Sequence, residues 1–182
     1  MKISELQASN PALYNTDKFS DHSYSGFYDS LFDGKENAKL NILEIGINEG
    51  GSIRLWHDYL KKSIICGVDI DDKWKLPVGT PDNYDIDIFY LDAYTEEGLD
   101  RITSGYDVII EDGSHLLTDQ IFALENLPSY LKAGGILVIE DVPAGCEEEI
   151  LNHIPTGGVA EVMDLRSAKG RWDDCLIVFR KD

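Results

Sequence analysis

Cations are scarce in this chain. Its 182 residues hold 16 Lys and Arg against 34 Asp and Glu, a formal net charge of −18. A phosphate backbone would be repelled at long range, which argues against nucleic acid as a partner. The expected ligand is a small neutral or cationic molecule, accompanied by a divalent cation; part of the acidic excess is a solvated surface. Cysteine is equally sparse. Cys66, Cys146 and Cys175 are odd in number and include no C-x-x-C pair, which argues against a structural zinc site and predicts reduced, partly buried thiols. No run approaches the roughly 18 apolar residues of a membrane span. The opening segment MKISELQASNPALY has no apolar stretch, so the expectations are no signal peptide, no membrane association and a cytoplasmic protein.

What is present is alternation. With 43% apolar residues over this length, the chain reads as one α/β domain. Strand-like runs recur at 41–45, 63–68, 86–91, 106–110, 135–139, 159–163 and 175–179, several nearly continuous in the manner of parallel strands covered on both faces. Between them, 52–62 carries Ile53, Trp56 and Leu60 at helical spacing. A second helix is expected over 116–131, stopped by Ala133-Gly134-Gly135 and bent near Pro128. This order predicts a Rossmann-like, doubly wound sheet. Residues 71–85 are expected to form a loop. Residues 1–35, with Tyr14, Phe19, Tyr24, Phe27, Tyr28 and Phe32 scattered through polar sequence, are expected to cap the ligand site of a domain spanning 36–182, with an N-terminal wrapping segment as the alternative.

The first strand runs into Glu44-Ile45-Gly46-Ile47-Asn48-Glu49-Gly50-Gly51-Ser52, a strand, a glycine turn and a helix start. Glycine there accepts positive φ and lets a ligand approach the backbone, while the helix N-terminus offers unpaired N–H groups. In an open α/β sheet, ligands bind beyond the carboxyl ends of the strands, and acids gather at those ends: Glu44, Asp69, Asp92, Asp112 and Glu140-Asp141. Asp69, followed by Ile70, suits ribose hydroxyls, and Asp92, followed by Ala93, suits an adenine amine. Gly46, Asn48 and Gly50 complete this nucleoside-type site. Asp112, Glu140 and Asp141 would repel one another without a hard cation such as Mg²⁺. His115, three residues past Asp112, is placed to take a proton from a substrate hydroxyl; local capping is its alternative role.

With these pieces in place the chain resembles class I SAM-dependent (S-adenosylmethionine-dependent) methyltransferases, within them the metal-dependent macrolide-sugar and rhamnosyl O-methyltransferases. The matching motifs are Thr16-Asp17-Lys18 with His22-Ser23-Tyr24 and Tyr28, LEIGINEGGSIRLW (43–56), GVDID (67–71), DVIIEDGSH (107–115), LKAGGILVIEDV (131–142) and DLRSAKGRWDDCLIVFRK (164–181). The resemblance implies a seven-stranded, mostly parallel sheet with an antiparallel last strand. It implies SAM contacts from Glu44, Gly46, Asp69, Asp92 and Asp112, with Thr16, Lys18 and His22 at the methionine end. It also implies Mg²⁺ on Asp112, Glu140 and Asp141, with His115 as general base and Asp112 sharing its site. The implied reaction is O-methylation of a small-molecule hydroxyl, on a sugar or other vicinal diol; a homo-oligomer is allowed. Departures are Glu111 in place of a second aspartate, a short segment after Asp141, and no extra N-terminal domain or long insertions. Three other readings stay open: a non-catalytic SAM- or nucleotide-binding module, an NAD-dependent oxidoreductase (disfavoured by the missing third glycine), and a hydroxylase, which would need a second suitable histidine.

Overall fold

The computed structural model describes residues 1–72 and 86–182. Most of the expected 71–85 loop therefore lies outside the described residues. Three short helices open the chain: α1 (Ile3–Ser9), α2 (Asp17–Ser20) and α3 (Ser25–Leu31). They are followed by β1 (Asn41–Ile45), α4 (Gly51–Tyr59), β2 (Ile64–Asp69), β3 (Ile86–Tyr90), α5 (Glu96–Leu99), β4 (Tyr106–Glu111) and α6 (Leu117–Asn126). A 3₁₀ turn at Leu127–Tyr130 leads into β5 (Leu131–Ile139), then α7 (Glu147–Leu151), β6 (Gly158–Asp164), α8 (Arg166–Lys169) and β7 (Cys175–Lys181).

The seven strands form one sheet in the order β3-β2-β1-β4-β5-β7-β6. Pairing is parallel from β3 across to β5, and β7 runs antiparallel to both β5 and β6. The chain winds outward from β1 in one direction and resumes at β4 in the other, so the crevice above β1 and β4 is the topological switch point where such sheets bind ligands.

Alternation along each strand divides the core into two layers. Ile42, Ile65, Val108, Ile110, Val138 and Val178 face α4 and the N-terminal helices; Leu43, Val68, Ile109, Leu137, Ile139 and Ile177 face Leu99, Ala123, Leu124 and Ile150. The N-terminal aromatics are part of this packing. Tyr24, Tyr28 and Phe32 are completely buried, and Tyr28 and Phe32 pack on Trp56 with ring centroids 5.0 and 5.5 Å away. They line the sheet rather than stand over the cleft.

One expected boundary is corrected. The helix over 116–131 stops at Asn126, with Pro128 in the first turn of the 3₁₀ segment, and Ala133-Gly134-Gly135 lies inside β5. There the pairing jumps from Tyr106↔Leu131 to Val108↔Ile136. Gly134, at φ +73, serves this bulge and not a helix stop.

Candidate active site at the carboxyl edge of the sheet

The glycine loop is shaped by what presses on it from both sides. Gly46 sits at φ +81, and a Cβ there would lie 2.0 Å from the carbonyl oxygen of Asp112. A Cβ on Gly51, the first residue of α4, would lie 1.9 Å from the carbonyl oxygen of Asn15. Only glycine fits between the end of β4, the start of α4 and the N-terminal segment. Asp69, ending β2, holds the turn: its Oδ2 accepts from the amides of Ile47 and Asn48 at 2.9 and 3.0 Å, and its Oδ1 from that of Asp71 at 2.9 Å.

Two joined hollows open above this loop, sharing Gly46, Asp69 and Gly113. The larger, roughly 390 Å³, is lined by Asn15, Thr16, Asp17 and Asp21 from the N-terminal segment, by Asn48 and Ser52, and by Asp112 and His115. The smaller, roughly 250 Å³, has the apolar walls Ile45, Val68, Ile70, Leu91 and Ala93, with Asp69, Asp92, Tyr94, Ser114 and Asp119 as its polar residues. Asp92 accepts from the amide of Tyr94 at 3.0 Å. A carboxylate has about four acceptor sites, so Asp69 and Asp92 both keep capacity to face a ligand.

Other expected ligand residues are placed elsewhere, which corrects the sequence reading. Gly50 is off the cleft wall; it is the left-handed residue, at φ +75, that precedes α4. Glu44 is completely buried, accepting from the indole Nε1 of Trp56 at 2.8 Å. Lys18 and His22 are 1% and 2% exposed and reach no cleft surface. The Lys18 ammonium lies 3.2 Å from Glu44, 2.8 Å from Glu140 and in contact with Asp112. Its charge persists because these carboxylates outweigh the effect of burial, which alone would lower its pKa. The Glu44, Asp112 and Glu140 carboxyls are pushed up by burial, with Lys18 pulling against the shift.

Glu140, an expected metal ligand joined to Asp112 through Lys18, is not part of the group that could hold an ion. Its oxygens are taken by Lys18 and by the hydroxyl of Tyr28. The group that does converge is Asp112, His115 and Asp141, whose candidate ligand atoms all lie within 4.8 Å of one another. His115 Nδ1 is 4.0 Å from Asp112 Oδ1 and 3.8 Å from Asp141 Oδ2. The other oxygen of Asp141 accepts from the Tyr24 hydroxyl at 2.7 Å and lies 3.3 Å from His22 Nδ1. Burial and Asp141 hold the Tyr24 phenol well above its ordinary pKa, so it remains a neutral donor. Among the described residues, the non-glycine positions with positive φ are Asn48, His115 and Asp141, at 44, 57 and 54°. All three belong to this edge of the sheet, where such backbone strain, about 1–3 kcal/mol each, aims side chains.

No family model matches the chain. Among curated proteins it is 33% identical over 151 residues to the mycinamicin VI 2''-O-methyltransferase of Micromonospora griseorubida, covering 77% of this chain and 36% of that protein. It is 28% identical over 136 residues to the 8-demethyl-8-alpha-L-rhamnosyl tetracenomycin-C 2'-O-methyltransferase of Streptomyces olivaceus, covering 71% and 35%. Among solved structures, MycE methyltransferase from the mycinamycin biosynthetic pathway, in complex with Mg and SAH (S-adenosylhomocysteine), superposes over 100% of this chain and 53% of its own, with TM-score 0.77 and 24% identity. The same enzyme with Mg, SAH and mycinamycin VI matches 78% of this chain and 39% of its own, at TM-score 0.66 and 32% identity. The chain has the class I SAM-dependent methyltransferase fold. It spans 35–36% of the length of these two curated relatives.

On this methyltransferase fold, Tyr24 and Tyr28, motif residues given no site role from sequence, and Tyr94, which sequence reasoning missed, are partners of the site carboxylates. Tyr24 and Tyr28 stand one helical turn apart, a spacing that puts both hydroxyls on one side of a helix and was the available signal. Tyr94, which donates to Glu111, left no such pattern. As a test of fit, the carboxylates of Asp112 and Asp141, within 4.8 Å of each other, make an oxygen donor set suited to a hard divalent cation, with the imidazole of His115 beside it.

Proposed function

We propose that this chain transfers the methyl group of SAM to a hydroxyl of a small molecule, a sugar or other vicinal diol, with Mg²⁺ as metal. The observation that carries the reading is the convergence of the buried Asp141 with Asp112 and His115, the last two on the wall of the larger hollow at the switch point of this fold. The sugar O-methyltransferase relatives and the Mg- and SAH-bound MycE structures support it.

In this reading the smaller, apolar-walled hollow takes the adenine ring, with Asp92 toward its amine. Asp69 takes the ribose hydroxyls, and Thr16, Asn48 and Ser52 lie along the methionine end. The side chains facing a divalent cation are Asp112 and Asp141, with His115 between them; when bound, it would supply positive charge that acidifies a nearby hydroxyl. The acceptor oxygen forms a bond to the methyl carbon as the carbon–sulfur bond breaks, and the sulfur keeps that electron pair. The hydroxyl proton would go to His115, whose Nδ1 lies 4.0 Å from Asp112 and 3.8 Å from Asp141 and whose ring lines the larger hollow.

Calorimetry with SAM, SAH and NAD, followed by turnover of a vicinal-diol acceptor with and without a chelator, tests this. Binding of SAM and SAH but not NAD, and turnover that stops on chelation and returns with Mg²⁺, is the expected result. Binding of NAD with none of SAM would overturn the reading, and chelator-resistant turnover would remove the metal from it.

A further inference from the structure

Lys18 is the most completely buried cation among the described residues, and one ammonium meets carboxylates from three adjacent strands: Glu44 of β1, Asp112 after β4 and Glu140 after β5. It comes from α2, a helix of four residues outside the sheet. Burying a charge is expensive unless it is paired, and three buried carboxylates packed together would drive one another apart or take up protons. An ammonium at their centre removes that repulsion from inside the protein. It also settles which oxygens are left over. Asp112 spends Oδ2 on Lys18 and turns Oδ1 toward His115; Glu140 spends Oε2 on Lys18 and its other oxygen on Tyr28.

We propose that Lys18 is a built-in cation of this active site. It is a positioning residue that ties Asp112 and Glu140 from beneath, so that Asp112 presents a single oxygen to His115, Asp141 and the cleft. The inference rests on the methyl-transfer reading for its consequence on rate, but its effect on the carboxylates does not depend on turnover. Lys18 is 1% exposed and lines neither hollow, in contrast to the methionine-end role expected from the N-terminal motif. The fixed ammonium occupies the centre of these carboxylates, and removing it leaves their charge uncompensated for a mobile cation to neutralise.

The test compares Lys18→Met and Lys18→Arg with wild type by SAH calorimetry, by kcat and KM for SAM and acceptor, and by melting temperature with and without Mg²⁺. For Lys18→Met the expected results are SAH affinity equal to wild type, kcat lower by about 10²-fold, the scale of a misplaced reacting group, and a Mg²⁺-induced rise in melting temperature larger than in wild type. Lys18→Arg keeps the charge in a wider, planar group; it should fold, bind SAH and still lose kcat. Wild-type kcat in either variant overturns the proposal, as does a Lys18→Met variant whose main defect is lost SAH binding. If Lys18→Met does not fold even with Mg²⁺, the Lys18→Arg result alone decides. A wild-type chain that binds no SAH or methylates nothing would instead sink the functional reading, and the Mg²⁺-dependent melting of Lys18→Met against wild type would still report on the ammonium.

Discussion

Glu111, the last residue of β4, is a carboxyl group with one oxygen satisfied and one stranded. Its Oε1 accepts from the Tyr94 hydroxyl and from the amide of Gly113 at 3.2 Å, while Oε2 is buried without a partner. Burial pushes its pKa up to about 7, against the hydrogen bonds from Tyr94 and Gly113. Between the ordinary carboxyl range and that value the folded chain holds a proton that the unfolded chain has released, so stability falls as pH rises through this window and levels off above it. Glu111→Gln keeps the acceptor for Tyr94 and Gly113 without the charge. Thermal melts should show the variant more stable than wild type at pH 8, by about 1–3 kcal/mol, with little difference at pH 5; a variant that melts lower at both would refute the assignment. His115 makes the sharper catalytic case. His115→Ala should lower kcat by about 10²–10⁴-fold and leave SAH affinity nearly intact in calorimetry, because its imidazole lies beside Asp112 and Asp141 in the larger hollow and is absent from the smaller, adenine-side one. Undiminished turnover would reduce His115 to a residue of the α6 approach.

At the scale of elements, the corner between α2 and α3 underpins the site. Tyr24 reaches Asp141, Tyr28 reaches Glu140, Lys18 reaches Asp112, and Lys169 of α8 closes the corner by donating to the carbonyls of Ser20 and His22 at 2.9 and 2.6 Å. Tyr24→Phe removes one donor from a buried carboxylate and leaves the ring packing in place. It should cost about 1–3 kcal/mol, the penalty of a stranded buried acceptor, read as a lower midpoint in urea at unchanged slope. Turnover should fall with it, since Asp141 loses its anchor. A Tyr24→Phe chain with wild-type stability and rate would show that the corner is packing alone.

For the whole molecule, a net charge of −18 means that compaction works against long-range self-repulsion. Raising ionic strength from about 0.01 to 0.15 M shortens the screening length from roughly 30 to 8 Å, so the melting temperature should rise over that range in a monovalent salt. Mg²⁺ should act beyond this general effect, and at lower concentration, through Asp112 and Asp141. Identical curves for Mg²⁺ and for a monovalent salt of equal ionic strength would leave only screening.

The order of strands and the edge that holds the site were written locally. Each run from 41–45 to 175–179 lies within the strand finally formed, save a one-residue extension at Ser63 and another at Leu91, because hydrophobic periodicity reports burial on a pleated or helical surface wherever that surface comes to rest. The acids at 69, 92 and 112 lie on the cleft for the same reason: the carboxyl end of a parallel strand is an address that the chain order specifies. The glycines at 133–135 misled because positive φ serves a helix stop and a bulge equally, and only the register of β4 against β5 chooses between them. The same limit governs Lys18, His22 and Glu140. Motif spacing brought them to the right end of the molecule, but which carboxylate an ammonium pairs with depends on α2 folding against β1, β4 and β5, more than 90 residues apart for Lys18 and Asp112. Local sequence carries no term for that contact. The tertiary structure alone decided that Lys18 lies beneath the cleft, with Asp112 and His115 at its wall and Asp141 buried beside them.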